Sequence, residues 1–502
     1  MLPKLSPRAC ATPSRLVLCT ALALALSACG GGGGSPGTVP GGGGTQTGVD
    51  AARPNSIQFV SSSLVGSSIV LKGSGGLGRQ EAAVLTFRVL DQNNKPMSGV
   101  TVDFKPSTSV GGLTVTPASG ISDATGAVTT TITSGTIPTP VKVYAEVSRN
   151  GATITGLSDT LTVSTGLPIE RGMSLSASSY NIEGWSIDGA TTDINIRLAD
   201  QFGNPISDDT AVSFIAEGGA IGTSARGACV TSNGACSVKL SSQRLGDKDH
   251  PHNGRVTILA YVQGVHNFTD LNGDGQYSCT KFVGPDKVTV PAVYRPLVDT
   301  CLSGGEPFER KGDPFLDTGY LGSLFAPERS SIYGGLDDHY DASSGDIPIP
   351  FKDNAYSEKG EDKWGLHFLY RTTEIVFSGS TAYLTRQVCT ASGCADSTET
   401  PAAQSEVITN CSPTPVGLRL YDLHNNPLPT KTTISVTDLK NVTASGVAPA
   451  ILSSTTAVGG TFHSFTIIPD AKCTPGSFVI KIATPGANGV ESTVSSYTMT
   501  TK

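Results

Sequence analysis

The stretch of this 502-residue chain best equipped for chemistry is Phe268-Thr269-Asp270-Leu271-Asn272-Gly273-Asp274-Gly275-Gln276-Tyr277. Asp270, Asn272 and Asp274 place a hard oxygen at every second residue, and Gly275 permits the sharp turn that lets alternate side chains converge on one point. Calcium, which takes about six to eight oxygens, suits that formula, with the carbonyl of Gln276 as the next ligand. The second half of the formula is missing, because Lys281 stands where a bidentate glutamate would close the shell. A closing carboxylate must come from farther along, and Glu306, Asp313 and Asp317 are the candidates. The competing reading is a loop rich in Asx turns that holds nothing. If calcium binds, its role is structural: it fixes a long loop poor in apolar residues.

Two other clusters are weaker. Asp247-Lys248-Asp249-His250-Pro251-His252 offers two imidazoles to a transition metal, but Pro251 and the charges around it suit a hairpin tip. Asp337-Asp338-His339-Tyr340-Asp341 sets a histidine between carboxylates, as acid–base work requires. A solvated acidic loop, or further calcium oxygens, is the plainer reading. The chain has no HExxH, G-x-S-x-G, P-loop or dinucleotide fingerprint. Paired carboxylates of a glycosidase depend on the fold and stay open. The expectation is a protein that is not an enzyme.

The elements that must position these residues begin with an export segment. Lys4, Arg8 and Arg15 precede an apolar run over 16–26, broken by Cys19 and Thr20. That run falls short of the roughly 20 apolar residues a spanning helix needs and reads as a cleaved signal. It ends Leu26-Ser27-Ala28-Cys29-Gly30, which resembles the bacterial lipobox. The resemblance implies cleavage after residue 28, a lipid on Cys29 and a membrane as partner. Gly30, rather than aspartate, implies the outer membrane, facing either the periplasm or the exterior. An ordinary signal with a chance cysteine is the alternative. Residues 30–44 are nearly all glycine and suit a flexible tether, placed here within 29–53.

Eight further cysteines follow: Cys229, Cys236, Cys279, Cys301, Cys389, Cys394, Cys411 and Cys473. An even number in an exported chain implies disulfides, and their grouping suggests sequential pairs. Cys229 and Cys236 flank Ser232-Asn233-Gly234, and Cys389 and Cys394 flank Ser392-Gly393, as strands joined by a tight turn would. Zinc is the weaker alternative, since the spacing lacks CxxC or paired histidines. The formal net charge of −7 excludes a nucleic-acid partner as the natural reading.

Only 15% of residues are charged, and the body alternates apolar and polar residues in short runs cut by Gly, Asn, Asp and Pro. Val84-Leu85-Thr86-Phe87-Arg88-Val89-Leu90 leads into Asp91-Gln92-Asn93-Asn94-Lys95-Pro96, then Val100-Thr101-Val102-Asp103-Phe104. The phrase returns at Asp200-Gln201-Phe202-Gly203-Asn204-Pro205 and at Asp422-Leu423-His424-Asn425-Asn426-Pro427. Repetition at domain length marks a modular array, and short alternating strands mark β-sandwiches.

These residues carry a family resemblance. Asp91 to Pro96 with Val100-Thr101-Val102-Asp103-Phe104 and Asp123-Ala124-Thr125-Gly126-Ala127 resemble the bacterial immunoglobulin-like domain of invasins and intimins. The second copy repeats the pattern, and the third does so more weakly. The resemblance implies an all-β chain of tandem immunoglobulin-like sandwiches at 54–166, 167–412 and 413–502, the second interrupted by an insertion at about 264–360. It also implies a surface spacer or adhesion module, with a cell-surface protein or glycan as partner. No outer-membrane barrel and no lectin-like tip accompany it. The rival is a carbohydrate-binding or envelope-assembly module using the insertion, with an aromatic pocket drawn from Tyr320, Tyr333, Tyr340 and Trp364. A hydrolase centred on His339 is a more distant rival.

Overall fold

In the structure, a computed structural model, the described residues are 53–64, 66–72, 79–149, 151–223, 226–243, 253–317, 339–340, 346–349, 357, 362–390, 393–397, 405–408, 411–486 and 491–501. The lipidation candidate Cys29, its signal and its tether lie outside them, as do the histidines at 250 and 252. Among the described residues every regular element is a strand or a single 3-10 turn.

Period-two patterning explains the strands. In Ala82–Asp91 the side chains of Ala83, Leu85, Phe87 and Val89 point inward and are almost fully buried. Thr191–Leu198 buries Ile194, Ile196 and Leu198 in the same rhythm, and Thr414–Tyr421 buries Val416, Leu418 and Leu420. Each such valine, leucine, isoleucine or phenylalanine side chain removed from water contributes about 1.5–3 kcal/mol. Three separate apolar cores result, one per sandwich.

The first sandwich sets the sheet 54–62, 82–91, 127–133, 114–116 against 152–157, 143–149, 101–106, 119–121, with a small third sheet from 68–70, 161–164 and 139–141. The second packs 173–177, 191–198, 235–241, 220–221 against a five-stranded sheet in the order 181–182, 366–377, 255–265, 211–216, 226–230. Leu366–Phe377 pairs antiparallel with Arg255–Val265 along its whole length. The roughly 100 residues between those two strands therefore leave and re-enter one sheet.

Part of that insertion covers the sheet's outer face. Phe315, Leu316 and Ile349 pack with Ile215, Leu259 and Tyr370 in a second apolar cluster. This is why Arg255–Val265 reads as a nearly unbroken apolar run: both of its faces are covered.

The third sandwich starts earlier than the sequence suggested. Tyr383–Thr390 lies antiparallel to Thr414–Tyr421, with Tyr383 opposite Tyr421 and Gln387 opposite Gly417, so the seam falls before residue 383 and not at 412/413. Those opening strands precede the repeated Asp-to-Pro phrase, which hid them. Cys389 lies directly across from Cys394 in the hairpin Tyr383–Thr390 with Gly393–Asp396.

Disulfides join Cys229 to Cys236, Cys279 to Cys301 and Cys411 to Cys473. The first does not staple a hairpin. Arg226–Val230 pairs in one sheet and Ala235–Ser241 in the other, so this bond ties the two layers around the Asn233-Gly234 turn.

Candidate functional site

The candidate calcium loop closes on itself. Asp270 accepts from the backbone N–H of Gly273 at 2.7 Å through one carboxylate oxygen and from Gly275 at 2.8 Å through the other. Asn272 accepts from Asp274 N–H at 2.9 Å, and Asp274 accepts from Gln276 N–H at 2.8 Å. The Asn272 amide donates to Asp274 Oδ2 at 3.0 Å and to Ser278 Oγ at 2.8 Å. Gly275 has φ +78°, and a Cβ there would meet the Phe202 ring at 2.7 Å, so glycine is required twice over.

Glu306 reaches this loop, but as a strap. Buried at the end of Thr300–Gly305, it accepts Leu271 N–H at 2.7 Å and Ser278 N–H at 2.8 Å, pinning both shoulders of the turn. Asp313 is placed elsewhere, exchanging backbone and carboxylate bonds with Ser357 at 3.0 Å. Asp317 is buried near Glu374, whose carboxyl is held above its ordinary pKa by burial first and by Asp317 in addition. Of the seven residues proposed as ligands, Asp270, Asn272, Asp274 and Gln276 lie in one loop and Glu306 is hydrogen-bonded to it, while Asp313 bonds to Ser357 and Asp317 lies near Glu374. Among the described residues no group of three or more His, Cys, Asp or Glu is arranged to hold a metal. Asp270 still keeps free lone pairs, because a carboxylate offers about four acceptor sites and two are used.

The loop is anchored by an aromatic nest. Tyr277 stacks on Trp364 with centroids 4.5 Å apart and rings 2° from parallel, and Phe268 meets both edge-on. Trp364 Nε1 donates to the carbonyl of His266 at 3.0 Å. His266 stacks on His367 at 3.7 Å, and burial, reinforced by His266, pushes His367 down to about 3. His367 is therefore neutral at physiological pH. Of the aromatic candidates from the sequence, Trp364 is in the nest, Tyr340 packs on Phe315 instead, and Tyr320 and Tyr333 lie outside the described residues. His339 and Tyr340 are described, but Asp337, Asp338 and Asp341 are not.

The loop sits where the first two sandwiches meet. Gly275 lies against Phe202 and Pro138, and Gln201 Nε2 donates to the Gly275 carbonyl at 3.1 Å. Pro138 belongs to the first sandwich, and Gln201 and Phe202 to the repeated turn of the second.

That repeated turn has one geometry in all three sandwiches. One oxygen of Asp91 accepts the N–H of Asn93 and Lys95, one of Asp200 those of Phe202 and Asn204, and one of Asp422 those of His424 and Asn426, all at 2.7–2.9 Å. The fourth residue, Asn94, Gly203 or Asn425, has positive φ. In the second and third copies the other oxygen reaches back to the incoming linker: Asp200 accepts Thr165 N–H at 2.9 Å, and Asp422 accepts Gly379 N–H at 2.8 Å. The phrase found by repetition thus doubles as a junction clamp. The repeated Asp-to-Pro phrase forecast the turn; nothing in the sequence marks the spare oxygen.

The junction between second and third sandwiches adds a buried polar seam. Arg255 is 4% exposed, pairs with Glu374, donates Nε to Asn426 Oδ1 at 2.8 Å and Nη2 to the carbonyls of Thr456 and Ala457. Asn181, fully buried, donates to Leu428 O at 2.6 Å and accepts from Thr455 N–H at 2.9 Å. Asn426 returns a bond to Asn253 O at 2.6 Å, and Trp185 packs edge-on against His424 at 4.1 Å.

Residues 79–162, within the first sandwich, match the model of the bacterial Ig-like domain (group 1). No curated protein matches the chain. Among solved structures the chain is similar to FdeC, an Escherichia coli adhesin, with 11% identity, 89% of this chain and 96% of that one covered, and a TM-score of 0.24. It is similar to invasin, a bacterial integrin-binding protein, with 15% identity, 89% and 79% covered, and a TM-score of 0.19. It is also similar to Yersinia pseudotuberculosis InvD, with 14% identity, 88% and 96% covered, and a TM-score of 0.23.

Proposed function

We propose that this chain is a non-enzymatic outer-membrane lipoprotein, anchored through Cys29, that acts as a surface spacer or adhesion module. The supporting observation is the construction of its junctions. A single turn design clamps each incoming linker, and buried hydrogen bonds of Arg255, Asn181 and Asn426 cross the second junction, as suits a module that carries mechanical load. Calcium belongs to the same reading: bound at Asp270, Asn272 and Asp274, it would stiffen the loop wedged against Phe202 and Pro138.

The anchor is tested by palmitate labelling of cells making the full chain. The expected result is a labelled, membrane-bound protein, lost in Cys29→Ser; label retained in that variant removes the anchor. Adhesion is tested with beads carrying the mature chain, which should be retained on cell surfaces beyond beads carrying an unrelated lipoprotein. Equal retention removes that role and leaves the spacer. Calcium is tested by calorimetry and melting of the mature chain with its disulfides intact. Saturable heat and a raised melting temperature, both lost in Asp270→Ala with Asp274→Ala, are expected; no heat removes the metal.

A further inference from the structure

A cavity of about 480 Å³ opens where the first sandwich, the linker to the second and the aromatic nest meet. Its size falls within the roughly 300–1,000 Å³ of small-molecule sites, which favour such domain interfaces. Its walls are mainly apolar. Phe268, Tyr277, Tyr294 and Trp364 form the aromatic side, and Leu167 and Ile169 of the linker form the aliphatic side. The charged residues lining it are Lys72, Arg79 and Arg295, all cations, and among the described residues no carboxylate lines it. Arg79 is half-buried, and burial holds its guanidinium below its ordinary pKa. Arg295 is ion-paired with Asp299, whose own side chain is buried.

An apolar chamber with cations at its wall selects by two forces at once. Apolar surface is withdrawn from water, and an anionic group meets positive potential in a partly desolvated setting. We infer that this junction cavity is a binding site for a small amphipathic anion, an aliphatic or aromatic body carrying one carboxylate. This goes beyond the spacer reading and does not depend on it, because the cavity requires neither an anchor nor an adhesion partner.

The chain has two tryptophans, so Trp185→Phe leaves Trp364, in the cavity wall, as the reporter. Mature protein carrying that change is titrated with dodecanoate and with dodecylammonium, both below their micelle concentrations. The expected result is a saturable change in Trp364 emission with dodecanoate and binding about tenfold weaker or more for the amine. Arg79→Glu should weaken dodecanoate by a similar factor. Val293→Glu, at a lip position that is 73% exposed and therefore harmless to folding, should do the same. No saturable response to dodecanoate in the folded protein overturns the site. Equal binding of amine and carboxylate, or undiminished binding in Val293→Glu, overturns the anion selectivity.

Discussion

The two junctions of this chain use one turn in two different surroundings. At the second, Asp422 clamps Gly379 while Arg255, Asn181 and Asn426 fill the interface with hydrogen bonds. At the first, Asp200 clamps Thr165 in the same way, but the space beside it holds the cavity and the candidate calcium loop. A conserved local geometry therefore does not dictate the character of an interface. What decides is which side chains the neighbouring strands deliver. Arg255 opens a central strand that faces the third sandwich, whereas the first junction receives the aromatic residues of an insertion.

The contrast is broken most severely at Arg255. Arg255→Ala leaves Glu374 buried without its ion-pair partner, and loss of one member of such a pair costs about 3–5 kcal/mol. Urea unfolding of the mature chain should show a loss of that size; a change below about 1 kcal/mol would mean that the seam is hydrated.

Acid should act on the two junctions with opposite sign. His367 titrates near 3 in the folded state, below its ordinary 6.5, so stability is present above pH 6.5 and lost as pH falls from there toward 3. Asp422, pushed up to about 6 by burial against the pull of three N–H groups, gives stability that is present below pH 3.8 and lost as pH rises through 6. Each effect has a limiting slope of about 1.4 kcal/mol per pH unit. Hydrogen exchange between pH 7 and 4.5 should loosen the aromatic nest while protecting Gly379, and His367→Phe should abolish the first change only. Parallel loosening at both junctions would contradict the assignment.

A smaller effect is expected from the clamps themselves. Asp200→Ala and Asp422→Ala each strand turn and linker N–H groups, costing about 1–3 kcal/mol and exposing Thr165 or Gly379 to exchange. Asp91→Ala should cost less, because among the described residues its bonds stay within its own turn. Equal losses at all three positions would show that the linker bonds carry nothing. The smallest effect belongs to Arg171→Ala, whose ion pair with Glu309 is exposed on both sides; melting should shift by the equivalent of at most about 1 kcal/mol.

Much of the fold was legible in the residues. Period-two runs gave the strands, the Asp-to-Pro phrase gave the turns, and paired cysteines gave three bonds visible in the structure. The opening of the third sandwich was not, since Tyr383–Thr390 comes before the phrase that announces its domain. At the candidate loop, the Asp270-x-Asn272-x-Asp274-Gly275 spacing forecast the turn because its bonds span six residues or fewer. It did not forecast that Glu306 would spend both oxygens on backbone N–H groups, or that Asp313 and Asp317 would go elsewhere.

The dividing line is sequence separation. Strand alternation, turn type and the Asx bonds are set by neighbours along the chain, where few geometries are sterically open, so the sequence alone determined them. The second oxygen of Asp422 finds Gly379, and Arg255 finds Asn426, Thr456 and Ala457 across 171 to 202 residues. Such partners are chosen by how whole sandwiches pack, because a buried donor or acceptor must be satisfied by whatever group the opposing surface presents. Only the tertiary structure decided which junction became a sealed seam and which kept a chamber.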